Sequence, residues 1–224
     1  MIFMGNIIAI DGPAGAGKGA ISKRLANEIG FMNLDSGVLY RCVSLEILRN
    51  NIDLSDIDKI VKIAKEMNIT FKKDGDDELV FLNGEDVTKA IREDAINNIV
   101  SEVSIIKELR EEILIIQREL VKDKDAVVEG RDIGTCVFPD AAIKIYLDAE
   151  IEERARRRYK ENIEKGMKTT YEETLEVLKH RDRIDMGREA APLKKAEDAI
   201  VINSTEMTIK DVVEEIKRIA SEKL

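Results

Sequence analysis

Seven residues near the N-terminus, Gly12-Pro13-Ala14-Gly15-Ala16-Gly17-Lys18, have the types and the spacing to hold phosphate. They fit the pattern G-x-x-x-x-G-K. Glycines let successive backbone N–H groups curl around an anion, and a helix that follows adds its N-terminal dipole. Lys18 supplies a point charge for the β- and γ-phosphates of a nucleotide. The full pattern places Ser or Thr next, as a ligand for Mg²⁺. Here Gly19 and Ala20 stand there, so the usual hydroxyl is absent at both positions. Ser22 lies one helical step further on and points elsewhere. Magnesium must then be held largely through water and carboxylates.

Three further segments carry charge in patterns that suit phosphate chemistry. Asp35-Ser36-Gly37-Val38-Leu39-Tyr40-Arg41 starts a helix with an Asp-Ser cap and places Arg41 one turn in. Glu129-Gly130-Arg131-Asp132-Ile133-Gly134-Thr135 follows an apolar run, where the C-terminal edge of a parallel sheet would present ligand groups. Arg154-Ala155-Arg156-Arg157-Arg158 and Arg181-Asp182-Arg183-Ile184-Asp185-Met186-Gly187-Arg188 sit on two charged helices. Such a run is usually a solvated helix face. In a chain with a phosphate loop, arginine at this density also suits a clamp on transferring phosphates.

The elements that must position these residues read as an α/β chain. Ile7-Ile8-Ala9-Ile10 is apolar without alternation, as in a strand buried on both faces. Ile21, Leu25, Ala26 and Ile29 recur at helical spacing, and Gly30 stops that helix. Helices are expected over 37–50 and 55–66. Ile69-Thr70-Phe71 and Leu79-Val80-Phe81 flank Asp74-Gly75-Asp76-Asp77, a hairpin signal, and Asn83-Gly84 adds a turn. Residues 68–88 thus read as a small inserted antiparallel sheet. Residues 91–122 read as two helical pieces, Ala126–Val128 and Ile143–Leu147 as buried strands, and 150–165 and 171–187 as the charged helices. A strand at Ile200–Ile202 and an amphipathic helix over 208–222 close the chain. Strands separated by helices imply a parallel sheet with right-handed crossovers.

Composition narrows the function classes. The 224 residues carry a net charge of −9, which rules out a uniformly basic nucleic-acid-coating protein. The charge is uneven: residues 154–188 hold eleven basic and seven acidic side chains, a local +4 against −13 elsewhere. With one histidine, His180, a two-His metal site cannot exist. His180 reads as a surface residue. Cys42 and Cys136 form no CxxC pair and read as small buried hydrophobes. Five Phe, four Tyr and no Trp argue against a base-stacking single-strand binder. The start, Met1-Ile2-Phe3-Met4-Gly5-Asn6, lacks a signal-peptide pattern, and no apolar stretch approaches the ~20 residues of a membrane span. A cytoplasmic protein is expected, without nucleic-acid or membrane partners.

IAIDGPAGAGKG, LDSGVLYR, NGEDVTKAIR, EGRDIGTCVFPDAAIKIYLDA, ERARRR, RDRIDMGR and APLKKAEDAIVI run in one order along nearly the whole chain. In these stretches the sequence resembles the bacterial cytidylate kinases, a family of nucleoside monophosphate kinases. The resemblance implies a three-layer α/β P-loop kinase fold with a parallel central sheet, an inserted monophosphate-binding lobe with a small antiparallel sheet, and a short helical lid. It divides the chain into core (1–35), monophosphate lobe (36–103), core (104–150), lid (151–190) and core (191–224). The implied reaction is ATP with CMP or dCMP giving ADP and CDP or dCDP, with Mg²⁺ and without a dedicated protein metal site. The partners implied are small nucleotides, and the chain is expected to be a monomer.

By carry-over, Gly12, Pro13, Ala14, Gly15, Ala16, Gly17, Lys18, Gly19 and Ala20 hold ATP phosphates. Ser101, Arg110 and Asp132 read the cytosine. Arg41, Arg131 and Arg188 hold the CMP phosphate, Arg181 and Asp185 contact the sugar, and Ser36 lies at the entrance. Arg154, Arg157 and Arg158 are candidates for closing on the transferred phosphate. Lys18, Arg131, Arg158 and Arg188 form the implied catalytic set. Ala20 replaces the family's usual Thr, and Asn203 its common Asp. The alternatives are a kinase of another nucleoside monophosphate and a nucleotide-binding module without turnover, for which Ala20 is the only support.

Overall fold

The computed structural model describes residues 5–75 and 77–224. The leader reading at Met1–Met4 and the turn residue Asp76 lie outside them. In chain order the elements are β1 (Ile7–Asp11), α1 (Lys18–Ile29), β2 (Met32–Asp35), α2 (Ser36–Arg49), α3 (Ile57–Glu66), β3 (Ile69–Asp74), β4 (Asp77–Leu82) and β5 (Glu85–Asp86). After a 3₁₀ turn (Ala90–Arg92) follow α4 (Asp94–Val103), α5 (Lys107–Leu120) and β6 (Ala126–Gly130). One turn of π-helix (Ile133–Val137) precedes β7 (Ile143–Asp148), α6 (Ile151–Glu164), α7 (Tyr171–Gly187), β8 (Ile200–Asn203) and α8 (Ile209–Lys223). The chain forms two compact units, Met1–Asp35 with Leu120–Leu224, and Ser36–Glu119.

The first unit is built on a five-stranded sheet of order β2-β6-β1-β7-β8, parallel throughout. All five residues of β1 are buried, as an interior parallel strand covered on both faces requires. Ile8 and Ile10 pack with Ile21 and Leu25 of α1 and with Val212, Val213 and Ile216 of α8. The register aligns Asp11 with Gly130, and Asp35 with Glu129. The carboxyl ends of β1, β2 and β6 therefore present three acidic side chains at one sheet edge.

The second unit is mainly helical, with an antiparallel sheet of order β3-β4-β5. Its hairpin pairs Ile69 with Leu82 and Asp74 with Asp77. Lys72 lies 4.5 Å over the Phe81 ring. Arg49 of α2 forks onto the Glu85 carboxylate at 2.9 and 2.7 Å, tying helix to sheet.

One expectation needs correction. Cys136, on the π-turn, is half-buried, while Cys42 is fully buried. That π-turn has no periodicity signal in Ile133–Val137; it is held from outside, by Asp11. His180 is exposed, as expected. Among the described residues no helix is long and apolar enough to cross a membrane.

Candidate phosphate-binding site

Six residues between Asp11 and Lys18 turn the chain from β1 into α1. Gly12 is there because nothing larger fits: a Cβ on it would lie 2.0 Å from the Leu147 carbonyl oxygen. Gly17 caps α1 in the left-handed region, at φ 92°. Lys18 then curls back, and its Nζ donates to the Gly12 and Pro13 carbonyls at 2.9 Å each. The side chain is buried, and burial, with Arg131 and Arg181 nearby, lowers its pKa to about 7.

Three carboxylates stand around this loop. Asp11 accepts from the Ile133 and Gly134 N–H groups at 2.8 Å each. Burial outweighs those bonds and raises its pKa to about 6. Glu129, next to last in β6, is buried; burial first, and the Asp35 charge second, push its carboxyl well above the usual range. Its Oε1 lies 3.0 Å from where a Cβ on Gly19 would be. The carboxyl thus crowds the place of the missing loop hydroxyl. Ser22 bonds toward Glu129 and the Gly19 carbonyl, away from the loop.

The segments after β6 and at the end of α7 meet in a second cluster. Arg131 Nε donates to Asp185 Oδ2 at 2.8 Å. Arg188 reaches Asp132 at 3.3 Å and Asp185 at 3.6 Å. Asp132, Asp185 and Arg188 are buried. Burial alone would raise the Asp185 carboxyl, but Arg131, Arg181 and Arg188 hold it below the usual range. Four cations, Lys18, Arg131, Arg181 and Arg188, are thereby held in one neighbourhood. Such a concentration of fixed donors suits a polyanion.

The arginines of α6 divide by environment. Arg154 is buried, donating to Ala149 and Ala14 carbonyls at 2.9 Å each and to Asp182 of α7 at 2.7 Å. Breaking such a buried pair from one side typically costs about 3–5 kcal/mol. Arg157 donates to the Ser204 and Thr205 carbonyls at 2.7 and 3.1 Å. Arg158 pairs with Glu161 of its own helix at 3.2 Å and is partly exposed. Arg154 and Arg157, both expected to close on phosphate, are here engaged by protein acceptors.

In the second unit, Ser36 is buried at the start of α2. Arg41 donates to the Ile91 carbonyl at 2.9 Å and to Asn97 Oδ1 at 2.8 Å. Arg110 donates to the Ser104 carbonyl at 2.9 Å and lies 5.5 Å over the Tyr40 ring. Asn97, Ser101 and Ser104 follow one another at helical spacing on and just after α4. Ser101 therefore stands between the attachment points of two guanidinium groups.

Asp11, Glu129, Arg154 and Asp182 carry more of the site than their sequence patterns indicated. The available signal was a charged residue closing an apolar run: Asp11 after Ile7–Ile10 and Glu129 after Ala126–Val128. A carboxylate at that position faces the loops at the carboxyl edge of a parallel sheet. Arg154 and Asp182 had no such signal, because their pairing joins two helices 28 residues apart in sequence. Among the described residues no three His, Cys, Asp or Glu side chains are grouped to hold a metal ion.

Comparison with known proteins bears directly on this arrangement. A family profile for cytidylate kinase matches residues 8–222. The cytidylate kinase of Caldicellulosiruptor saccharolyticus is 48% identical over 93% of this chain and 92% of its own. That of Caldicellulosiruptor bescii is 49% identical over the same shares. That of Bacillus subtilis is 42% identical over 96% of each chain. Among solved structures, an uncharacterized protein from Eubacterium ventriosum shares the fold, with a TM-score of 0.51 at 12% identity over 96% of this chain and 97% of its own. With a phosphate loop, a parallel sheet and a family match from the first strand to the last helix, the chain belongs to the cytidylate kinase family.

Proposed function

We propose that this protein transfers the γ-phosphoryl group of ATP to CMP or dCMP, giving ADP and the corresponding diphosphate. The observation that carries this reading is the family match over 8–222, which spans both the loop around Lys18 and the arginine cluster. In this reading the backbone from Gly12 to Ala20 and Lys18 hold ATP phosphates. Arg131 and Arg188 hold the CMP phosphate, Asp132 reads the base, and Arg181 and Asp185 contact the sugar. On the second unit, Arg41 is assigned to the CMP phosphate, Ser101 and Arg110 to the base, and Ser36 to the entrance. Arg158, whose ion pair stays within α6, is assigned to the transferred phosphate.

No general base is required, because the second pKa of a phosphate monoester is about 6 and its oxygen is largely ionised near pH 7. The protein's work is alignment, charge neutralisation and exclusion of water. Mg²⁺ bound with ATP would neutralise charge on the β- and γ-phosphates. The oxygen donors of Glu129 and Asp35, side by side at the sheet edge, suit such a hard cation. A coupled ADP-release assay with CMP, dCMP, UMP and AMP tests the reading. Release that depends on CMP or dCMP supports it; release no faster than with ATP alone overturns it. We further propose that the chain works as a monomer.

A further inference from the structure

We infer that Arg154 and Asp182 are positioning residues, which aim the phosphate loop's amides by holding its outer carbonyl. This rests on the proposal that the loop binds a nucleotide. Arg154 is buried where its guanidinium meets three acceptors on three elements. One is the Ala14 carbonyl of the loop, one the Ala149 carbonyl beyond β7, and one the Asp182 carboxylate on α7. In a planar trans peptide, the C=O of one residue and the N–H of the next point in opposite directions. Fixing the Ala14 oxygen on Arg154 therefore turns the Gly15 N–H away from α6, toward the concave side of the loop.

Packing makes this orientation rigid. A Cβ on Gly15 would lie 3.2 Å from the Arg154 Cβ, and Gly15 has φ 78°. The loop backbone therefore rests directly on α6 with no side chain between. Ala14, Ala155 and Leu178 form a small apolar cluster beside the polar contacts, joined by Tyr171 and Leu175. Asp182 reaches the loop through Arg154. Its second oxygen, Oδ1, is buried without a hydrogen-bond partner among the described residues. A lone half-satisfied carboxylate is costly to bury, so its worth lies in the arginine it holds. Preorganised donors need no reorganisation when charge arrives, and this is where such support acts on binding.

The experiment compares wild type with Asp182→Asn, Arg154→Met and Arg154→Lys. It uses ADP titration by calorimetry with Mg²⁺, thermal unfolding, steady-state kinetics and the ¹⁵N–¹H signal of Gly15. Expected are a loss of ADP affinity of about tenfold in Asp182→Asn and more in Arg154→Met. The KM for ATP should rise in parallel, while the KM for CMP stays within about twofold, and the Gly15 amide should shift. Arg154→Lys should recover part of the affinity, since a cation with N–H donors remains but the guanidinium fork is lost. If Arg154→Met fails to fold, Asp182→Asn, nearly the same shape, decides the matter. Unchanged ADP affinity and an unmoved Gly15 signal in folded Asp182→Asn overturn the inference. Failure of wild type to bind ADP overturns the nucleotide proposal itself, a separate result.

Discussion

Glu129 Oε1 lies 3.0 Å from the point a Cβ on Gly19 would occupy. Gly19 holds the position where a phosphate loop usually offers a hydroxyl to Mg²⁺. The buried carboxyl of Glu129 thus stands next to the missing ligand's place. Glu129→Gln keeps the shape and removes the ability to ionise when a cation arrives. It should raise the Mg²⁺ concentration for half-maximal turnover by about tenfold, with the unfolding temperature unchanged or higher. Titration of activity and of ADP affinity with Mg²⁺ checks this. An unchanged Mg²⁺ requirement would remove Glu129 from the account.

Lys18 supplies a second test. Its pKa is lowered to about 7 by burial and by neighbouring arginines. Phosphates entering the loop must raise it, so nucleotide binding at pH 7 should take up protons, about half a proton per site. Calorimetry in buffers of different ionisation enthalpy measures that uptake. Lys18→Arg, which stays protonated, should abolish it even where binding persists. Proton release on binding would contradict the assignment.

Asp11 makes stability depend on pH. Its folded pKa is raised from 3.8 to about 6. The folded state therefore binds more protons than the unfolded state between those values, and stability falls as pH rises through that window. The difference in unfolding temperature between wild type and Asp11→Asn should be more favourable to wild type at pH 4 than at pH 7. Parallel curves for the two proteins would mean that Asp11 titrates elsewhere. Loss of one of its two 2.8 Å bonds should also loosen the segment carrying Arg131 and Asp132.

Much of this arrangement was legible in the residues themselves. The unbroken apolar run before Gly12 is what a strand covered on both faces needs, and β1 is such a strand. The turn residues between Phe71 and Leu79 marked the hairpin β3–β4, whose strands extend two or three residues beyond the apolar cores. The π-turn over Ile133–Val137 was not legible, because its cause is Asp11, more than 120 residues away. Nor was the division of labour within Arg154–Arg158. Four arginines within five residues differ only by which helical face each occupies, and what that face meets depends on where α7 packs.

Ala20 is exposed on the first turn of α1, so a threonine there meets open space. Ala20→Thr should keep or raise turnover, with any gain no more than about 100-fold, the size of one added hydrogen bond to a charged group. Steady-state kinetics at subsaturating ATP would show it. A severe loss without unfolding would contradict the geometry described for the loop.

The most direct measurement is ³¹P NMR of the protein mixed with ATP, Mg²⁺ and CMP. The account predicts that a CDP β-phosphorus signal grows at the same rate as that of ADP, and that both are absent when Lys18 is replaced by alanine. Formation of inorganic phosphate in place of CDP, or no consumption of CMP, would contradict it.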